Sequence, residues 1–209
     1  MGTIVHMKSA SIPPASKKSE TIPEKPRRPR RTDPVRKARI IEAALDVIAV
    51  HGVAGTTHRR IAEAADVPLG SMTYHFRGLE DVLEQAFVKL ADDATEHFDL
   101  MLLQPRTRED AIQAVTDIIV DNVWASPRTL LLSYEFYAYV SRNPALRHLP
   151  EKWMRRSRSA LGRHFDARTA RALDALIEGL GIHNSFERQQ MPRAEVCRLV
   201  SAVVTGPPA

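Results

Sequence analysis

Two short stretches within residues 56–76 carry side chains whose chemistry suits contact with a nucleic acid. Hydroxyl, imidazole and guanidinium groups bind phosphate oxygens and base edges, a leucine meets a thymine methyl group, and a glycine lets the backbone approach closely. The first stretch contributes Thr57, His58, Arg59 and Arg60. The second contributes Leu69, Gly70, Ser71, Thr73, Tyr74 and His75. Together they predict a surface that contacts DNA.

The elements that must position these residues are two short helices. Either Thr56 or Thr57 can cap the first helix, which runs to Ala65, and a tight connection over residues 66–69 leads into the second. Two helices joined by such a turn form the unit whose second helix enters the major groove of DNA. A plain helical hairpin with a polar outer face is the alternative interpretation. The residues predicted to pack the pair onto the preceding helix are Ile61, Ala62, Ala65, Val67, Met72 and Phe76.

Apolar residues recur at helical spacing along the rest of the chain, which predicts an all-α fold of about nine helices. The first helix is predicted to begin at Asp33-Pro34 and to end at His51, with Gly52 as a left-handed cap. Asn143-Pro144 is predicted to open a helix that reaches Phe165. The last two helices are predicted over residues 167–186 and 192–204. The expected organisation is a disordered basic arm (1–32), a helix-turn-helix domain (33–78), a linking helix (79–104) and a C-terminal domain (105–209).

The positive charge of the chain is concentrated at its N-terminus. The formal net charge is +5, yet residues 1–39 hold 11 Lys/Arg against 3 Asp/Glu, so the remainder is mildly acidic. Residues 1–32 contain five Pro and little apolar periodicity, which predicts disorder. This segment is interpreted either as an arm that neutralises DNA phosphates or as a solvated tail.

Composition and motif searches favour a soluble, cytoplasmic protein that is not an enzyme. The single Cys197 excludes a disulfide framework and a multi-cysteine metal site, and no metal ligands or cofactor are expected. No apolar run is long enough to span a membrane or to act as a secretory signal. The spacings of a phosphate-binding loop, a zinc-protease helix and a nucleophile elbow are absent.

The region from Arg36 to about Glu96 resembles the DNA-binding domain of the TetR family of bacterial transcriptional regulators. The matching pieces are Ile40-Ile41-x-Ala43-Ala44, Gly52, Thr56-Thr57-x-x-x-Ile61-Ala62-x-x-Ala65, Val67-Pro68-x-Gly70-Ser71-Met72-Thr73-Tyr74-His75-Phe76 and Leu83. The resemblance implies that Arg59, Ser71, Thr73, Tyr74 and His75 lie against operator DNA. Thr73 stands where many relatives have Tyr, and Leu79 stands where many have a phosphate-binding Lys.

The resemblance also implies that residues 105–209 bind a small-molecule effector and form a homodimer through the last two helices. Each apolar stripe there is alternatively ordinary core within one chain. The predicted dimer seam comprises Leu173, Leu176, Ile177, Leu180, Val196, Leu199, Val200 and Val203. The predicted ligand contacts are Trp124, Tyr134, Phe136, Tyr137, Trp153 and His183, because aromatic rings line most small-molecule pockets. The implied function is a ligand-responsive repressor that binds a palindromic operator as a homodimer, and the alternative is a helical interaction protein without specific DNA binding.

Overall fold

The computed structural model describes residues 34–121 and 126–206, and this part of the chain is α-helical without a β-strand. Nine α-helices are present in it: α1 Pro34–Gly55, α2 His58–Ala64, α3 Gly70–His75, α4 Leu79–Leu103, α5 Arg108–Val120, α6 Pro127–Arg142, α7 His148–Leu161, α8 Ala167–Phe186 and α9 Arg193–Thr205. The all-α prediction is therefore confirmed. The predicted N-terminal arm, residues 1–32, lies outside the described residues. The predicted domain boundaries at 78 and 104 stay predictions, because the contacts group residues 33–209 as one unit.

Side-chain caps fix where several helices begin. The Thr57 hydroxyl accepts a hydrogen bond from the backbone N–H of Arg60, so Thr57 and not Thr56 caps α2. Asp166 accepts from the N–H groups of Arg168 and Thr169 at the start of α8. Each carboxyl or hydroxyl oxygen satisfies a backbone donor that has no partner within its own helix.

Gly52 interrupts α1 as the sequence indicates, but the helix does not end there. Its φ of +67° is a conformation that favours glycine. The chain then makes a further helical turn as far as Gly55, four residues beyond the predicted end at His51. The hydroxyl of Thr56, which does not cap α2, is buried and donates to the carbonyl of Gly52 at 2.8 Å.

The single helix predicted from Asn143 to Phe165 is wrong at both ends. Residues Pro144–Leu146 form a 3₁₀ turn, and α7 begins only at His148 and ends at Leu161. The Asn143 side chain donates to the carbonyl of Tyr139 at 2.7 Å and so closes α6. Pro144 disfavours helical geometry at the preceding residue, Asn143, which explains why the chain turns here before a new helix starts.

Two apolar clusters lie along the molecule. The first joins α1, α2 and α3 to the N-terminal part of α4 and to α6, and includes Phe87 and Phe136. The second joins the end of α4 to α5, α7, α8 and α9. Because α4 contributes to both clusters, it connects the helix-turn-helix to the C-terminal helices.

Candidate nucleic-acid interface and effector cavity

The turn between α2 and α3 is fixed by backbone hydrogen bonds. The N–H of Val67 donates to the carbonyl of Ala62 at 3.0 Å, and the N–H of Asp66 donates to that of Glu63 at 3.2 Å. This pair of bonds is a Schellman motif, and it places Asp66 at a φ of +49°. The motif sets the angle at which α3 leaves α2.

The outer face of α3 is small and mostly neutral. Leu69, Gly70, Thr73 and Tyr74 are exposed, and His75 is half-buried with its ring edge-on to that of Tyr74 at 4.8 Å between centroids. On the inner face, Met72 and Phe76 are buried in the first apolar cluster. The sequence prediction of an apolar inner face and a polar outer face therefore agrees with these positions.

Ser71 departs from this prediction. The sequence predicts Ser71 on the outer face, but only 9% of its surface is exposed. The reason is geometric: Ser71 and Met72 are neighbours in a short helix, and the face that buries Met72 in the core also turns Ser71 inward.

The N-terminal edge of α2 presents the other predicted side chains. Thr57, Arg59 and Arg60 are exposed and His58 is half-buried. The Arg59 guanidinium is paired with Glu63 at 3.0 Å, one helical turn away. Arg60 donates to the carbonyl of Gly55. Arg59 is the more available cation for a phosphate, since surface pairs of this kind are weak.

Three basic residues at the start of α1 were not among the predicted contacts. Arg36 and Arg39 are exposed, and the Lys37 ammonium lies 5.6 Å from the centre of the Phe76 ring at the end of α3. They place positive charge beside the recognition unit within the described part of the chain. The signal was visible as the continuation of the N-terminal charge run into the first helix.

Two small cavities lie among α4 to α8. The first has a volume of about 40 Å³ and is lined by residues that include Tyr137, Trp153, Asp174 and Glu178. The second, of about 20 Å³, is lined by Leu130, Ser133, Tyr134, Tyr137, Glu178 and Ile182. Of the predicted ligand contacts, Tyr134, Tyr137 and Trp153 therefore border a cavity.

Two other predicted ligand contacts, Phe136 and His183, do not border these cavities. Phe136 is fully buried in the first apolar cluster, where its ring packs against Phe87 at 5.3 Å between centroids, so it lies in the core and lines neither cavity. The Phe136 and Tyr137 rings lie 5.5 Å apart between centroids, but only Tyr137 reaches the walls of the cavities. His183 is exposed and lines neither cavity. Trp124 lies outside the described residues.

Helix α6 joins the cavities to the helix-turn-helix. One side of it carries Tyr134 and Tyr137, and the opposite side contacts α1. Glu135 accepts a hydrogen bond from the backbone N–H of Val53 at 2.9 Å, immediately after the Gly52 kink. Arg128 is ion-paired with Glu42 and Asp46 of α1, each at 2.8 Å.

The predicted dimer seam divides into two faces. Leu173, Ile177, Val196 and Val200 are buried in the second apolar cluster of the same chain, so they pack within the chain and leave little surface for a second copy. Leu176, Leu180, Leu199 and Val203 are half-exposed on the outer side of α8 and α9. Exposed small residues lie among them, namely Ala172, Ala175 and Ala202.

No described helix is long and apolar enough to cross a membrane. Within residues 34–121 and 126–206, no group of three or more His, Cys, Asp or Glu side chains is placed to hold a metal ion.

Comparisons with known proteins agree with this architecture. SCO7518 from Streptomyces coelicolor A3(2) is 45% identical, covers 81% of this chain and 98% of its own, and superposes with a TM-score of 0.77. The multidrug binding protein EbrR in complex with imidazole is 29% identical, with 90% and 100% coverage and a TM-score of 0.70. Other EbrR structures contain ethidium, proflavin or malachite green. The HTH-type transcriptional regulator BetI of Agrobacterium fabrum is 25% identical over 176 residues, which are 80% of this chain and 85% of BetI.

The family comparison covers both halves of the described fold. Residues 40–86 match the bacterial regulatory proteins of the tetR family, and residues 106–206 match the tetracyclin repressor-like C-terminal domain. The chain is a DNA-binding transcriptional regulator and belongs to the TetR family.

Proposed function

We propose that the protein is a homodimeric repressor that binds a palindromic operator and releases it when a small molecule binds among α4 to α8. The observation that carries the DNA-binding part is the outer face of α3, where Gly70, Thr73 and Tyr74 stand exposed on a helix held by a Schellman turn. Neutral side chains of this kind read base edges, while flanking cations bind phosphates.

The basic start of α1 supplies part of the phosphate binding in this proposal. Leu79 lacks the charge that many relatives carry at the start of the fourth helix. Lys37 lies over Phe76 and close enough to Asp81 to contribute to lowering the pKa of that carboxyl, after the larger effect of the Arg77 backbone N–H. A cation from α1 therefore stands near the place where the usual lysine is missing.

Homodimerisation follows from the geometry of operator reading. Two recognition helices must lie about 34–36 Å apart to occupy successive major grooves on one face of DNA. The half-exposed apolar residues of α8 and α9 offer a surface for a second copy. A matching surface on each copy makes a two-fold dimer, which suits a palindromic site.

An effector acts in this proposal by favouring one separation of the two reading units. Both α4 and α6 adjoin the cavities and the first apolar cluster, so a change in the cavity shifts α1 to α3. The EbrR complexes support a small-molecule effector, since that relative is described as a multidrug binding protein. A coupling free energy of about 1–3 kcal/mol changes operator affinity by about 5–150-fold.

The decisive test is Tyr74→Ala. We expect it to abolish sequence-specific binding because Tyr74, which is 40% exposed, stands on the outer face of α3. Binding is measured by gel shift and footprinting on DNA from the region upstream of the gene and on sites selected from random sequence. Circular dichroism and light scattering check that fold and dimer persist.

Leu100→Ala is the control, because it removes another exposed large apolar side chain, near the end of α4 that is far from α3. It should leave operator affinity unchanged. Specific binding that survives Tyr74→Ala would show that α3 does not read the operator in the proposed register.

A further inference from the structure

A notch lies on the outer face of α3, formed by Leu69, Gly70 and Thr73. Leu69 already has helical backbone angles, with φ −53° and ψ −35°, and Thr73 follows one helical turn later. Their side chains therefore stand on the same side of the helix. Gly70 lies beside them with no side chain, and a Cβ placed there would meet nothing within 4 Å. The notch thus has Leu69 and Thr73 as its flanks and the backbone of Gly70 as its floor.

The flanks of the notch are apolar. Leu69 is 55% exposed, belongs to neither apolar cluster and makes no capping hydrogen bond at the start of α3. The Thr73 hydroxyl donates to the carbonyl of Gly70 at 3.2 Å, so the methyl group of Thr73 is available for an apolar contact. Packing within the chain and helix capping do not account for a leucine at position 69. Covering it with another apolar group is favourable, because that removes apolar surface from water.

The residue types on α3 limit which bases it can distinguish. Residues 69–75 contain no Arg, Lys, Asn, Gln, Asp or Glu. Arg and Lys make paired contacts to guanine, Asn and Gln make them to adenine, and Asp and Glu accept a hydrogen bond from cytosine. The hydroxyl of Tyr74 and the imidazole of His75 can bond to more than one kind of base edge. The remaining selective contact is an apolar one, and in the major groove the methyl group of thymine is the apolar part of a base edge.

The charges around the notch place the DNA backbone elsewhere. Arg59 lies on α2, the helix that crosses the backbone in this kind of unit, whereas the first residues of the second helix meet base edges. An open groove of about 300 Å³ next to the notch is lined by residues that include Arg59, Glu63, Asp66 and Leu69. The two carboxylates disfavour a phosphate beside Leu69. A base edge, rather than a phosphate, is therefore expected at the notch.

We propose that each operator half-site presents a thymine methyl group to this notch, and that Leu69 is the residue that selects thymine there. The methyl group lies over Gly70 and contacts Leu69 and Thr73. Cytosine lacks this methyl group and presents an amino group instead, for which Leu69 has no acceptor. This inference rests on the proposed function, because it names the base that α3 reads.

The test replaces thymine by deoxyuridine, which differs from it only in lacking the 5-methyl group. The operator is first obtained by selecting sites for the full-length protein from random DNA, and each thymine is then replaced in turn in both half-sites. At one position, the affinity measured by gel shift should fall about fifteenfold, which corresponds to two buried methyl groups at about fourfold each. At the other thymines the affinity should stay nearly the same.

Leu69→Ala assigns the effect to the side chain. In a variant that is folded by circular dichroism, the fifteenfold difference between thymine and deoxyuridine should shrink to about threefold or less, since the main partner of the methyl group is gone. Leu100→Ala is the matched control, because it removes a leucine that is 54% exposed near the far end of α4. It should keep the whole difference.

The wild-type measurement decides without any variant. A specific operator whose affinity is unchanged by deoxyuridine at every thymine overturns the proposal, and so does a selected half-site that contains no thymine. A Leu69→Ala protein that keeps the full difference also overturns it. These outcomes leave the proposed function intact, because the protein still binds a specific site, whereas a selection that yields no specific site overturns both.

Discussion

Gly70 is a position on which the fold places no structural demand, and we propose that it matters for DNA binding. It is the first residue of α3, and a Cβ added there would meet nothing within 4 Å in this chain. Nor does its backbone require a positive φ. The absence of a side chain therefore has no explanation within this chain, and the explanation we propose is close approach of the backbone to DNA.

The corresponding prediction is that Gly70→Ala separates stability from operator binding. The free energy of unfolding should stay the same or rise by up to about 1 kcal/mol, because alanine is the better helix former. Operator affinity should fall at least tenfold, since the methyl group would occupy space between the helix and the DNA. Urea unfolding and gel shifts measure the two quantities. A variant that binds the operator as tightly as the wild type would contradict this account of Gly70.

Asp81 gives a prediction about pH at the junction of α3 and α4. Its carboxylate accepts from the backbone N–H of Arg77 at 2.9 Å and from Gln85 at 2.7 Å. The bond from the Arg77 N–H is the main cause that lowers the pKa of Asp81 below its usual value of 3.8. The folded state therefore favours the ionised form, which stabilises the protein at neutral pH.

Asp81→Asn should lower the free energy of unfolding by about 1 kcal/mol at pH 7, as for loss of a helix cap. The difference from wild type should persist above the unfolded pKa and vanish as pH falls through the lowered folded pKa, where Asp81 becomes protonated in the wild type as well. Urea unfolding at a series of pH values measures this. Glu80→Gln, at the exposed neighbouring position, is the control and should show a smaller difference.

The helices whose bounds are predicted best from the sequence are those with a clear capping residue at one end. The α8 bounds, 167–186, agree with the structure because the Asp166 cap is a local feature of the chain. The α7 bounds failed because the 3₁₀ turn after Asn143 depends on how the chain closes α6. Which face of α8 is buried also escaped prediction. Its apolar residues cover two sides, with Leu173 turned inward and Leu176 partly outward, and periodicity alone cannot rank them.

Helix α6 is the element that mechanically connects the cavities with α1. The Glu135 carboxylate accepts a hydrogen bond from the Val53 N–H beside the Gly52 kink. A Cβ at position 52 would lie 3.0 Å from its carboxylate oxygen, so the contact is close. Glu135 thus fixes the segment from which α2 departs.

We predict that Glu135→Ala speeds hydrogen exchange at the Val53 amide and weakens operator binding about fivefold in the absence of any effector. Loss of a partly buried hydrogen bond to a charged group costs about 1.5–3 kcal/mol. Part of this loss weakens the positioning of α2 and α3, and so weakens operator binding. Exchange measured by mass spectrometry and gel shifts test the two effects. Glu151→Ala, which removes an exposed carboxylate on α7, should change neither. Normal exchange at Val53 in the Glu135 variant would assign the connection to α4 alone.

At the scale of the whole molecule, α8 and α9 contribute to one protomer's core on their inner side and leave an apolar surface on their outer side. Ala172 and Ala175 are small enough to let a second helix approach closely, and Leu176 and Leu180 flank them. A helix that packs against a partner on each of two sides needs apolar residues on both sides. The sequences of α8 and α9 have this pattern, but they do not indicate which side faces the core of the chain.

The dimer proposal therefore predicts opposite outcomes for two substitutions on α8. Ala175→Glu should leave the protomer folded, because residue 175 is exposed there, but should halve the mass in solution by placing a carboxylate in the centre of the dimer contact. Operator affinity should fall together with the dimer, since one reading unit cannot span two half-sites.

Leu173→Ala should instead lower the free energy of unfolding by about 2–5 kcal/mol, because Leu173 is fully buried in its own chain. Light scattering and urea unfolding distinguish the two effects, with Leu100→Glu on the exposed side of α4 as the control for added charge. An Ala175→Glu protein that remains dimeric would place the contact between copies on another surface.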